Sequence, residues 1–195
     1  YILTGAEVGN IVLQTGEVSR KAAIFAGQYT GIDRQHLGFS EYAVTTSDFN
    51  SEWNNVYVDV VANIRAAQAA AEEEEIGPVT LGIAEVVRAH ALGTAASLWG
   101  DIPFDESGLP DIEAPRFENQ VEVYNKLQEL LDLAIINLNE GTGRPARGSD
   151  IYLDGDPVAW TEVAYTLKAR YYMHTGQYDN AYQAAQSGIS SPGNS

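Results

Sequence analysis

The chain has 195 residues with 11 Lys and Arg against 27 Asp and Glu, a formal net charge of −16 that disfavours nucleic acid and anionic lipid as partners. Cysteine is absent, which excludes disulfides, thiolate catalysis and Cys-based zinc sites. Hydrophobic content of 45% suits a globular core that needs no crosslinks at this length.

Helical periodicity dominates. Thr4 followed by Glu7 reads as a capping box opening a helix over 4–28, whose interrupted stripe carries Val8, Ile11, Val12, Thr15, Val18, Ala22, Ile24 and Phe25. Residues 29–47, with Gly31, Gly38 and mixed polar and aromatic side chains, read as a long loop. Ser47 or Asp48 is expected to cap the next helix, marked by Phe49, Trp53, Val56, Tyr57, Val60, Ile64 and Ala67. Glu72–Glu75 reads as a solvated acidic helix end before the break at Gly77-Pro78.

The following helix, from Val79 to Leu98, is rich in Ala and Gly, which lets a neighbouring backbone approach closely. It stops at Trp99-Gly100-Asp101-Ile102-Pro103: Gly can turn left-handed, Pro103 forbids resumption, and Asp101 is expected to bind N–H groups freed in the turn. Residues 105–117 read as an irregular crossing. Asn119 with Glu122 starts a helix through Val123, Tyr124, Leu127, Leu131, Ala134 and Leu138. Gly141–Gly155 is a polar connection, and Asp156-Pro157 opens a helix carrying Trp160, Ala164, Leu167, Arg170 and Tyr171. Gly176 ends it, and Tyr178–Ile189 forms a shorter helix. No segment reads as a strand or approaches the ~20 apolar residues of a membrane span. The fold class is therefore all-α, built of antiparallel helix pairs in one domain over 1–195. Gly176-Gln177-Tyr178-Asp179-Asn180-Ala181 resembles the turn of a tetratricopeptide repeat, with Tyr178 expected to pack over it. The first residue is Tyr and no leader precedes the helices, so the chain is expected to be a mature, incomplete piece.

Three segments together resemble the SusD/RagB family of outer-membrane lipoproteins, especially its SusD-like branch. They are Trp53-Asn54-Asn55-Val56-Tyr57 leading to Asn63, Leu98-Trp99-Gly100-Asp101-Ile102-Pro103-Phe104, and the run from Pro115-Arg116-Phe117 through Val123-Tyr124 to Leu138. The resemblance covers about residues 40–190, in the family's order. It implies a tetratricopeptide-containing protein on the extracellular face of an outer membrane, held by a lipid anchor absent from this chain. Such a protein lids a SusC-like TonB-dependent transporter and passes it an oligosaccharide or, in some RagB-like members, a peptide. The chain would then be the N-terminal portion, without the anchor cysteine and the C-terminal part.

Catalytic patterns are sparse. His36, His90 and His174 lie far apart, and His90, on an apolar helical side, reads as packed or hydrogen-bonded. There is no Gly-x-Ser-x-Gly turn, and Gly141-Thr142-Gly143-Arg144-Pro145 lacks the end of a phosphate loop and reads as a linker. Asp150, Asp154 and Asp156 contain enough oxygens for Ca²⁺ but not EF-hand spacing, and Asp156 is needed as a helix cap; no metal and no cofactor is expected. A sugar site needs a flat aromatic face plus fixed polar groups. The segment 29–48 offers that mixture, and Tyr29, Arg34, Gln35, His36, Phe39 and Tyr42 are the expected ligand contacts, beside Asp33, Glu41 and Asp48. The alternative is that Phe39 and Tyr42 tuck the loop onto the helices. Trp53, Trp99 and Trp160 are expected in the core. The chain reads as a binding protein without enzymatic activity; a tetratricopeptide scaffold for a protein partner is the alternative.

Overall fold

In the computed structural model, residues 2–74 and 76–191 are described, with side chains at all of these except 70–74. The expected first helix is two: α1 (Ile2–Thr15) and α2 (Glu17–Phe25), separated at Gly16. Thr4 does not cap α1; it lies inside the helix and its hydroxyl donates to the Ser149 carbonyl at 2.6 Å. A short helix α3 (Arg34–Ser40) follows, then a 3₁₀ turn (Thr46–Phe49). Next come α4 (Asn50–Asn54), a π-helical stretch (Asn55–Val61) and α5 (Ala62–Glu74), joined through right-handed helical residues. Thr45, rather than Ser47 or Asp48, caps the turn: Asp48 is the N3 partner and accepts from the Thr45 N–H and hydroxyl. The side chains of the acidic run at Glu72–Glu75 lie outside the described residues.

The centre of the molecule is α6 (Pro78–Trp99), buried on nearly every side. Its first turn is held by the connection behind it, because the Thr142 and Gly143 carbonyls accept from the Val79 and Thr80 N–H groups. These carbonyls point to a helix start, so the Gly-rich segment acts as a linker and a cap. α6 packs chiefly on α7 (Gln120–Asn139), α7 on α8 (Pro157–His174), and α8 on α9 (Tyr178–Ala185). Small residues make this possible: a Cβ on Gly93 would lie 2.2 Å from the Tyr171 hydroxyl, which donates to the Ala89 carbonyl at 2.9 Å. α1 lies against the π-helical stretch, α5 and α6, and one hydrophobic core runs from Leu3 to Tyr171.

The exit from α6 forms as its sequence predicts, with one difference. Gly100 adopts φ 79° and its N–H reaches the Ala96 carbonyl at 3.0 Å. Asp101, however, accepts from the Gln120 N–H at 2.8 Å, so it secures the start of α7 and not its own turn. The extended residues after it pair: β1 (Ile102–Pro103) runs antiparallel to β2 (Phe117–Glu118), a two-residue ladder the sequence does not announce. The irregular crossing between them is tied down by cations. Arg88 donates to the Phe104 carbonyl, Arg65 to the Asp105 and Ser107 carbonyls, and Lys126 to Asp105 and Glu118. Asn119 and Asp156 cap α7 and α8 as expected. Arg170 points outward, and Tyr178 stands exposed instead of covering the turn at Gly176.

Candidate ligand-binding site

The segment between α2 and α4 is braced at both ends. Beyond α2, the Gln28 and Tyr29 N–H groups reach back to the Ala23 carbonyl. The Gly31 N–H donates to the Ser40 hydroxyl at 2.6 Å, and the Ala43 N–H to the Gly38 carbonyl at 2.8 Å, so the two ends of α3 are stapled together. Asp33 caps α3 by accepting from the Arg34 N–H at 2.8 Å. The expected long loop is thus a compact helical turn, because three local acceptors satisfy its backbone.

Below it sits a buried ion pair. Lys21 of α2 donates to Glu52 of α4 and to the Asp48 carbonyl, with its ammonium 5.2 Å from the Phe39 ring centre and 4.9 Å from that of Phe49. A buried charge pair is costly unless its donors are used, and Lys21 spends two of them, on Glu52 of α4 and on the Asp48 carbonyl of the 3₁₀ turn. Thr45 holds the Asp48 carboxyl below the usual carboxylate range through its N–H and hydroxyl.

The six residues named from sequence divide. Phe39 is 3% exposed and packs edge-on to Phe25, so it holds the segment to α2 and does not face solvent. His36 is half-buried, with Nε2 3.5 Å from Glu17. Tyr29 and Tyr42 are 65% and 71% exposed, and Arg34 and Gln35 are exposed. Tyr29 and His36 line a concavity of about 380 Å³ with Arg20 and Ile24 of α2. Tyr42 stacks on Phe25 (5.8 Å, 23°), which lines a second concavity of about 200 Å³ with Phe49, Leu98 and Trp99. Arg20, Phe25 and Phe49 stand outside the expected contacts, because on a helical stripe an aromatic reads as core and an Arg as solvated surface.

Elsewhere the chemistry is spent on structure. Asp150 accepts from the Tyr152, Leu153 and Gly155 N–H groups and from the Trp160 indole, while Asp154 accepts from the Gly148 N–H. Among the described residues no three His, Asp or Glu side chains converge as metal ligands. Glu7 is fully buried beneath the same turn, accepts from the Ile151 N–H, and is pushed up to about 8 by desolvation. His90 pairs with Asn10 at 3.2 Å and burial drives it down to about 4. His174 pairs with Tyr124 at 2.6 Å. The three histidines do not meet. Trp160 is buried, while Trp53 and Trp99 are partly buried and meet edge-on at 5.2 Å.

Known proteins share this fold. A SusD-like family, described as starch-binding and associating with the outer membrane, matches residues 3–193. No curated protein matches the sequence. A SusD/RagB family protein from Bacteroides thetaiotaomicron superposes with a TM-score of 0.89 at 24% identity, covering 100% of this chain and 43% of its own. A chitin-binding protein gives 0.82 at 20% identity, covering 99% and 44%. A chitin-binding SusD homologue from Flavobacterium johnsoniae gives 0.71 at 16%, covering 98% and 43%. The chain therefore spans less than half the length of these proteins. Among the described residues no helix is long and apolar enough to cross a membrane. With the family's sequence pattern running almost end to end over its helical fold, the chain belongs to the SusD-like family.

Proposed function

We propose that the protein binds an oligosaccharide without transforming it, stacking sugar rings on Tyr29 and Tyr42 and hydrogen-bonding hydroxyls through Arg34, Gln35 and His36. One observation carries this reading. Tyr29 and Tyr42 are solvent-facing rings on a braced segment, and neither hydroxyl has a hydrogen-bond partner among the described residues. A ring face with an unspent polar tip suits the apolar side of a pyranose with its hydroxyl rim. Backbone strain points the same way. Arg34 and Tyr42 hold φ of 50° and 57°, and of the three non-glycine residues described with positive φ these two lie here. Each costs about 1 kcal/mol, and such strain collects at functional sites.

The family's description as starch-binding and two relatives named as chitin-binding make malto- and chito-oligosaccharides the first ligands to try. In the same reading the full-length protein is lipid-anchored on the extracellular face of the outer membrane and delivers its glycan to a SusC-like TonB-dependent transporter. Titration calorimetry with both sugar series tests the ligand class, with a saturable heat expected for one. Turnover of a labelled oligosaccharide by the pure protein would overturn the non-catalytic part. A protein-binding role has its own support in Met173, Tyr178 and Tyr182, all exposed at the α8–α9 end. Co-purification with a barrel transporter, lost on Tyr182→Asp, is expected if that patch docks the transporter.

A further inference from the structure

The concavity of about 200 Å³ where α2, α4 and the end of α6 meet combines aromatic walls with a charged floor. Phe25, Phe49, Leu98 and Trp99 wall it, and Lys21 and Glu52 also line it. The ion pair leaves polar capacity over. Lys21 spends two of the three N–H donors of its ammonium, on Glu52 and on the Asp48 carbonyl. Glu52 is 4% exposed, and while Oε1 accepts from Lys21, Oε2 has no hydrogen-bond partner among the described residues. A bare carboxylate oxygen in a buried position is costly, and a donor arriving from outside would remove that cost. The last torsion of a Glu side chain turns easily, so the unspent oxygen can meet a donor in the groove.

The walls also continue the surface that carries Tyr42. Phe25 bears the stacked Tyr42 ring and lines the groove, and across the groove Trp99 meets Trp53 edge-on. Phe117, 60% exposed, then stacks on Trp53 at 5.9 Å and 17°. Aromatic rings follow one another from Tyr42, across the groove, to Phe117.

We propose that this groove is a second sugar subsite, holding the pyranose unit next along the chain from the one on Tyr42. Its apolar face lies on Phe25 and Trp99, and one of its hydroxyls donates to Glu52 Oε2. The ligand class rests on the glycan reading; the groove adds where the chain runs and a preference for longer oligosaccharides. A neutral hydroxyl fits better than two other occupants. Lys21 already balances the Glu52 charge, so a cationic ligand would bring an excess positive charge, and a purely apolar one would leave Oε2 bare.

The test uses the full-length protein with malto- and chito-oligosaccharides, from disaccharide to hexasaccharide. Ala22 on α2 and Leu98 on α6 line the groove from exposed positions, so Ala22→Arg and Leu98→Arg fill it without touching the core. Calorimetry should show hexasaccharide affinity reduced about tenfold or more in each. Parental hexasaccharide affinity in both folded variants would overturn the proposal. Fluorine NMR of protein carrying fluorotryptophan gives a local readout, with the Trp99 resonance assigned through Trp99→Phe. Saturating hexasaccharide should shift that resonance, and an unmoved resonance would also overturn the subsite. Tyr29→Ala/Tyr42→Ala separates the two readings. A Trp99 shift that persists in this variant, at undiminished affinity, leaves the groove standing while the tyrosine contacts fail. Binding that is lost in this variant but never moves Trp99 leaves the tyrosines standing while the groove fails. No heat from either sugar series removes the glycan reading itself and the subsite with it.

Discussion

Two sets of aromatic residues in this molecule differ in what becomes of their polar tips. In the helical core, Tyr171 donates to the Ala89 carbonyl, Trp160 to Asp150, Tyr124 meets His174 and Tyr57 donates to the Pro103 carbonyl. Between α2 and α4, Tyr29 and Tyr42 are exposed, Tyr42 with one face stacked on Phe25, and neither hydroxyl has a partner among the described residues. The first set fixes geometry, because a buried hydroxyl or indole must be satisfied and therefore specifies its neighbour. The second set is held in place by other residues, namely Phe39, Lys21 and the α3 staples. Aromatic content alone does not separate the two sets; in the proposed reading the unpartnered tips of Tyr29 and Tyr42 serve recognition.

Substitutions can break this contrast. The largest effect is expected for Trp160→Ala, which removes a buried ring and one donor to Asp150; thermal or denaturant unfolding should show a loss of about 3–5 kcal/mol. Gly93→Ala is next, since its methyl group would collide with the Tyr171 hydroxyl, for about 1–3 kcal/mol by the same measurement. Tyr171→Phe, which removes only the tip, should cost about 1 kcal/mol.

Glu7 sharpens the contrast through pH. Its folded value near 8 lies above an ordinary 4.5, so the folded state holds the proton more tightly. Its contribution is complete below about 4.5, declines as pH rises toward 8 by at most about 1.4 kcal/mol per unit, and is flat above. His90 acts oppositely. Its folded value near 4 lies below 6.5, so stability falls as pH drops through that window. Melting curves of Glu7→Gln should therefore decline less than the parent between pH 5 and 8. An identical decline would remove Glu7 as the cause.

Much of the helical frame was legible in the sequence, and the reasons are local. Gly100 and Pro103 end α6 by backbone restriction, and Asn119 and Asp156 cap α7 and α8 with side chains two residues from their targets. What was not legible depends on distant partners. Asp101 serves Gln120, and Thr4 serves Ser149, rather than their own turns. Val8 and Val12 lie on a hydrophobic stripe yet face outward. The candidate site was legible as a composition, since segment 29–48 holds its exposed tyrosines. Its floor was not, because Lys21 and Glu52 read as solvated charges until α2 and α4 are brought together.

The smallest expected effect on stability is also the most direct test of the central claim, that unspent aromatic tips mark the recognition surface. Tyr29→Ala/Tyr42→Ala should unfold within about 0.5 kcal/mol of the parent. Titrated with the oligosaccharide that the parent binds, the double variant should lose roughly tenfold or more in affinity, counting about 1 kcal/mol for each ring. Parental affinity in a folded double variant would contradict the account.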